Sequence, residues 1–273
     1  MSELADSFPD VESLVKALDK VDYLAGAGLA TALFCSIRLS QPLLLEGEPG
    51  VGKTEAAKAL STVLDTPLVR LQCYEGINAA EAVYEWNYPR QLLGIRLAER
   101  SGQDISDNDL FSEEYLIERP LLKVLRHQGP RPAILLIDEV DRSDDEFEAF
   151  LLELLGESTL TVPELGTYHA IHRPIVVLTS NRTRDLHDAL KRRCIYHWIE
   201  YPSVERSIEI LRRRVPGASI PLLTQVANSI NRLRGLKHLQ KAPGISETIN
   251  WVNALELLEI TSLDLSSASS CTA

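Results

Sequence analysis

Eight consecutive residues, Gly47-Glu48-Pro49-Gly50-Val51-Gly52-Lys53-Thr54, have the types and spacing that hold phosphate. Glycines at 47, 50 and 52 let the backbone bend until successive N–H groups point inward at phosphate oxygens. Lys53 supplies a point charge for the β- and γ-phosphates of ATP, and the Thr54 hydroxyl can ligate magnesium. A glycine-rich turn that merely precedes a helix is the bland alternative. The complete G-x-x-x-x-G-K-[ST] match between an expected strand and an expected helix weighs against it.

A second set follows at Ile134-Leu-Leu-Ile-Asp138-Glu139, an acidic pair at the carboxyl end of an apolar strand, where α/β sheets bind ligands. There Asp138 would hold magnesium, and Glu139 would act as the base that polarises an attacking water. A solvated acidic turn continuing to Asp141 is the competing reading, which the upstream phosphate loop disfavours. In Ile175-Val-Val-Leu-Thr-Ser-Asn181 the strand tip ends in two hydroxyls and an amide, and Asn181 can donate to the γ-phosphate or orient the water. Its bland role is a turn cap. Arginines at Leu190-Lys-Arg192-Arg193-Cys form either a solvated basic face or an arginine finger for a neighbouring subunit's ATP. The local sequence leaves those two open.

These residues need elements to hold them. Val11, Leu14, Val15, Leu18 and Val21 recur at helical spacing, and Leu24–Ile37 reads as a buried helix. Strands are expected at Pro42–Glu46, Pro67–Leu71, Ala133–Ile137, Ile175–Thr179 and Ile195–Glu200, with a helix at Glu55–Leu64. Residues 72–132 are weakly patterned, and polar Ser101–Asp109 reads as a loop. After Pro202 three helical stripes follow: Val204 to Val215, Leu222 to Leu233 and Ile245 to Leu255. The expected architecture is α/β, a doubly wound layer around a parallel sheet spanning residues 1–202. A smaller all-helical domain at 203–262 and a Ser-rich tail at 263–273 complete it.

Composition narrows the class. The 273 residues are 45% hydrophobic and 25% charged, with a formal net charge of −11, which weighs mildly against a nucleic-acid tracking surface while leaving room for a local basic patch. Cysteines at 35, 73, 194 and 271 form no Cys-x-x-Cys pair and read as reduced thiols in the cytoplasm. The apolar run Leu24–Ile37 falls short of the about 20 residues a membrane span needs. His169 and His172 lack a third ligand nearby, so a metal reading is weaker than a surface one. Trp86 and Tyr88 read as a packed aromatic pair, with a partner-binding surface as the alternative.

Taken in order, Gly47–Thr54, Ile134–Glu139, Thr179–Asn181 and Arg192–Arg193 resemble an AAA+ ATPase. The stretches LLLEGEPGVGKTEAAKAL, LIDEVDRSDDEFEAFLLELL, VPELGT and IVVLTSNRTRDLHDALKRR resemble the MoxR branch. EWNYPRQLL and RRCIYHWIEYP are similar to accessory ATPases of carbon monoxide dehydrogenase maturation. The resemblance implies an αβα sandwich of the P-loop NTPase kind with a helical lid at 203–262. It further implies ATP with magnesium at subunit boundaries of a homo-oligomer, usually a hexameric ring, with Arg193 as the finger and Arg192 as second choice. It also implies a β-hairpin within Thr159–His172 and a partner carrying a von Willebrand factor A domain. One departure is Thr248, in Gly244-Ile-Ser-Glu-Thr248, where many lids carry a γ-phosphate-sensing arginine. Another is the Ser-rich end, where relatives usually continue, so an incomplete lid or a truncated sequence is expected.

The activity expected is therefore ATP hydrolysis by a chaperone-like remodelling or maturation factor, which could assist metal or cofactor insertion. A nucleic-acid-associated motor or loader is the alternative. Kinases would lack Asp138-Glu139 with Asn181, and no Asn-Lys-x-Asp segment supports a GTPase. A nucleotide-dependent scaffold with little turnover is the blandest option.

Overall fold

The computed structural model describes residues 7–102, 104, 106–236 and 241–263. Cys271 and most of the expected Ser-rich tail lie outside the described residues. The chain opens with α1 (Val11–Lys20), α2 (Ala27–Leu39) and β1 (Leu43–Gly47), followed by α3 (Lys53–Leu64) and β2 (Leu68–Gln72). Next come α4 (Ala79–Val83), β3 (Tyr84–Trp86), α5 (Tyr88–Ser101), α6 (Asp107–Leu110), β4 (Leu116–Glu118) and α7 (Pro120–Leu125). The centre holds β5 (Ile134–Asp138), α8 (Asp145–Glu157), β6 (Thr159–Val162), β7 (Gly166–His169) and β8 (Ile175–Ser180). The chain then continues through α9 (Asp188–Arg193), β9 (Ile195–Ile199), α10 (Val204–Arg214), α11 (Ile220–Arg234) and α12 (Ile245–Leu257).

Five strands make one parallel sheet in the order β2-β5-β8-β1-β9. Helices cover both faces, which explains why β5 reads as an unbroken apolar run. Its Ile134 and Leu136 join the cluster formed with α1, α2 and α3. Leu135 and Ile137 point the other way, into the cluster with α4, α7 and α8. The α/β expectation holds: a parallel sheet between helical layers, with a helical C-terminal region. In that region α10, α11 and α12 bury Leu211, Val215, Leu222, Leu223, Val226, Ile230, Val252 and Leu255 against one another.

Residues 72–132 carry more structure than their pattern promised. β3 and β4 pair antiparallel over three residues each, and α7 buries Leu121, Leu122, Val124 and Leu125. The expected loop Ser101–Asp109 is corrected: α5 runs through Ser101 and α6 begins at Asp107. Its polar composition hid α6 because a single turn needs no apolar stripe. Trp86 does not pair with Tyr88. Its ring meets Phe111 edge-on at 5.2 Å between centroids, while Tyr88 is exposed. β6 and β7 form the two-stranded hairpin before β8.

Candidate active site

β1 delivers the chain into the Gly47–Thr54 turn, and α3 begins at its far side. Gly52 caps α3 with φ +97, a left-handed conformation that glycine adopts without strain. Lys53, buried in the first turn, donates from Nζ to the carbonyls of Gly47 at 2.7 Å and Glu48 at 2.8 Å. An ammonium has three donors, so one remains for a phosphate oxygen. Burial pulls the Lys53 pKa below its ordinary value, while Asp141, Asp138, Glu48 and Glu139 oppose that fall.

Three strand tips converge beside this loop. Thr54 Oγ1 donates to Asp138 Oδ1 at 3.1 Å, and Thr179 Oγ1 from β8 donates to the same oxygen. Glu139 sits at φ +55, a left-handed backbone that costs a non-glycine residue energy. Its N–H donates to Thr179 Oγ1 at 2.9 Å, which helps hold that turn. Asn181 Nδ2 donates to Glu139 Oε1 at 3.2 Å. Buried Asp141 receives the backbone N–H groups of Asn181 and Thr183 at 3.1 and 2.8 Å, fixing the segment that carries the amide. The structure thus brings Thr54, Asp138, Glu139 and Asn181 together.

Arg193 is not part of that gathering. It lies exposed at the end of α9 and donates to the Leu152 carbonyl of α8, and Arg192 is exposed as well.

Several participants went unnoticed in the sequence. Gln72, in register with Asp138, donates from Nε2 to Glu139 Oε2 at 3.1 Å. Arg70 Nε donates to Asp138 Oδ2 at 2.9 Å. Glu46, buried at the end of β1, accepts from Ser180 at 3.2 Å and Tyr196 at 3.1 Å. The one available signal was the i, i+2 alternation of Arg70 and Gln72 at a strand end.

The C-terminal helices reach this site through backbone. Ile245 N–H, at the start of α12, donates to the Gly50 carbonyl at 2.8 Å. Gly50, at φ +75, lies so near Gly244 that a Cβ built on Gly244 would sit 2.6 Å from Gly50 Cα. Thr248, at the place considered for a sensing arginine, is buried and donates to Gly244 O at 2.6 Å. Among the described residues no group of three or more His, Cys, Asp and Glu side chains could hold a metal ion, and none forms around His169 and His172. No described helix is long and apolar enough to cross a membrane.

The phosphate-loop strand β1, the acid-tipped strand β5 and, between them in the sheet, β8 with its polar tip define a P-loop ATPase of the AAA+ class. Residues 42–194, more than half of the chain, match the model of the AAA domain (dynein-related subfamily), and the chain belongs to that family. It is an ATP-hydrolysing enzyme by fold and family, and the fold implies binding of ATP with magnesium.

An uncharacterized protein of Staphylococcus haemolyticus is 24% identical over 238 residues, covering 83% of this chain and 78% of the relative. Another, of Staphylococcus aureus (strain USA300), is 26% identical over 183 residues, so the match covers 63% of this chain and only 59% of that relative. Among solved structures, a P216G mutant of Thermotoga maritima RuvB superposes with a TM-score of 0.53 at 16% identity, covering 97% of this chain and 70% of that one. The Thermotoga maritima RuvB Holliday junction branch migration motor gives 0.50 at 14% identity, covering 97% and 72%.

These likenesses share the fold, and they correct two expectations about partners. A branch migration motor is built on this fold, so ranking nucleic acid as an unlikely partner on a net charge of −11 is corrected. A whole-chain sum says little about one face of a domain. The von Willebrand factor A partner, which rested on the narrower MoxR resemblance, has no support in these comparisons and is withdrawn.

Proposed function

We propose that this chain is the subunit of a ring-forming AAA+ motor that couples ATP hydrolysis to movement of a bound macromolecule, with nucleic acid as the first candidate. The observation that carries the ATPase part is the hydrogen-bonded set of Thr54, Asp138, Thr179, Glu139 and Asn181 at the mouth of the phosphate loop. In this reading the backbone of Gly47, Glu48, Pro49, Gly50, Val51 and Gly52 cradles the phosphates and Lys53 neutralises them. Thr54 and Asp138 hold magnesium, and their adjacent hydroxyl and carboxylate suit a hard cation that prefers oxygen. Magnesium, when bound, offsets charge on the phosphates.

Glu139 takes a proton from the attacking water, and Asn181, which touches that carboxylate, orients base and water together. Arg193 acts on the ATP of a neighbouring subunit, consistent with its place away from its own loop. Residues 203–262 serve as the lid.

The likeness to a branch migration motor supports nucleic acid as the substrate. Exposed Arg96 and Arg100 on α5 offer phosphate contacts. A second reading, protein remodelling or metalloenzyme maturation as in the MoxR branch, is favoured by the exposed Leu92, Leu93 and Leu97 on the same helix. Fluorescence anisotropy with labelled DNA and RNA across a salt series decides between them. Nucleic acid that binds, weakens with salt and stimulates ATP turnover supports the first. Failure to bind in the presence of a slowly hydrolysed ATP analogue removes it in favour of the second.

A further inference from the structure

We infer that Arg70 is the resident counter-ion of Asp138, a positioning residue that competes with magnesium for this carboxylate. The inference rests on the proposed magnesium role of Thr54 and Asp138. Arg70 and Gln72 lie two apart on β2 and so share a face of the strand, and β2 runs parallel to β5 with Gln72 beside Asp138. The Asp138 side chain is only 5% exposed, whereas that of Arg70 is 51% exposed and has water as an alternative. Arg70 nevertheless commits both Nε and Nη2 to Asp138 Oδ2. The oxygens of Asp138 are divided: Thr179 and Thr54 make their shorter contacts with Oδ1, and the guanidinium occupies Oδ2.

Arg70 Nη2 also reaches Gln72 Oε1, and Gln72 in turn donates to Glu139. One side chain thereby fixes the carboxylate proposed for magnesium and braces the neighbour of the proposed base. A guanidinium and a hydrated magnesium ion drawing on the same carboxylate oppose one another, because each neutralises the charge that attracts the other. Removing Arg70 leaves a nearly buried carboxylate short of a cation, which raises the site's appetite for magnesium and destabilises the protein without it.

The test is calorimetric titration of ADP into the full chain at a series of magnesium concentrations, for wild type, Arg70→Ala and Arg70→Lys. Thermal midpoints are taken in parallel, without nucleotide, in EDTA and in magnesium. Arg70→Ala should reach half of its magnesium effect at a concentration lower by on the order of tenfold. Its thermal midpoint should fall in EDTA and recover in magnesium. Arg70→Lys should lie between, since an ammonium supplies the charge without the two-nitrogen fork. Should the alanine protein fail to fold, Arg70→Gln carries the same comparison. A folded variant whose magnesium dependence is unchanged or weaker overturns the inference and leaves the magnesium assignment standing. Wild-type ADP binding that ignores magnesium overturns that assignment and the inference with it.

Discussion

At the residue scale, the proposed roles separate binding from chemistry. Lys53 sits buried with two donors on loop carbonyls and one to spare, so Lys53→Ala should abolish ATP binding by calorimetry in the presence of magnesium. Unchanged affinity would remove the phosphate-site assignment. Glu139→Gln should behave differently. The amide keeps the shape and can still meet Asn181 and Gln72 after reorienting, yet it cannot take a proton. Binding should persist while steady-state turnover falls by about 10²-fold or more. Loss of binding as well would show that Glu139 serves the ground state.

At the scale of elements, the segment after β8 is held from below by α8. Glu148, with a fully buried side chain, accepts from Arg184 and from His187 N–H at 2.9 Å, and Arg184 also donates from Nε to the Ser143 carbonyl at 2.9 Å. Glu148→Ala should cost about 3 kcal/mol in urea unfolding, because it strands partly buried donors on both sides. A change within about 0.5 kcal/mol, the range of an ordinary surface substitution, would mean the pair is ornamental.

The strands β1, β5 and β8 were legible because each is an apolar run ending in a glycine, an acidic pair or an amide. Arg70 and Gln72 were not, since their partners lie 68 and 67 positions away and only strand register joins them. Nor was α5, because Leu92, Leu93 and Leu97 face outward and blur its helical stripe. The finger role proposed for Arg193 depends on a neighbour, which no single chain encodes as a local pattern.

For the whole molecule, the question is whether one chain suffices. In the proposed site, ground-state phosphate contacts come from the loop and Lys53, whereas an arginine supplied in trans would meet charge that develops during transfer. Arg193→Ala should therefore keep ATP affinity and lose turnover by a factor that reaches about 10³–10⁵. Mixing Arg193→Ala with Lys53→Ala chains should restore part of the activity, since some boundaries then pair an intact loop with an intact finger. Native mass spectrometry establishes that the mixed assemblies exist. An Arg193→Ala protein with wild-type turnover would refute the role and pass it to Arg192.

The contact between Gly50 and Gly244 carries a consequence of its own. It is a message written in main chain: the Ile245 amide reads the Gly50 carbonyl directly, with no side chain as interpreter. Substitutions that respect the backbone at 245–248 cannot delete that amide, but a single methyl group can jam it. Gly244 has φ −80 and ψ −177, which alanine adopts freely, so Gly244→Ala brings no conformational strain. Its cost is steric alone, a Cβ at 2.6 Å from Gly50 Cα. The variant should fold normally yet hold α12 off the phosphate loop, speeding nucleotide release in stopped-flow measurements with a fluorescent ADP. Release at the wild-type rate would mean that the loop and the helix touch without communicating.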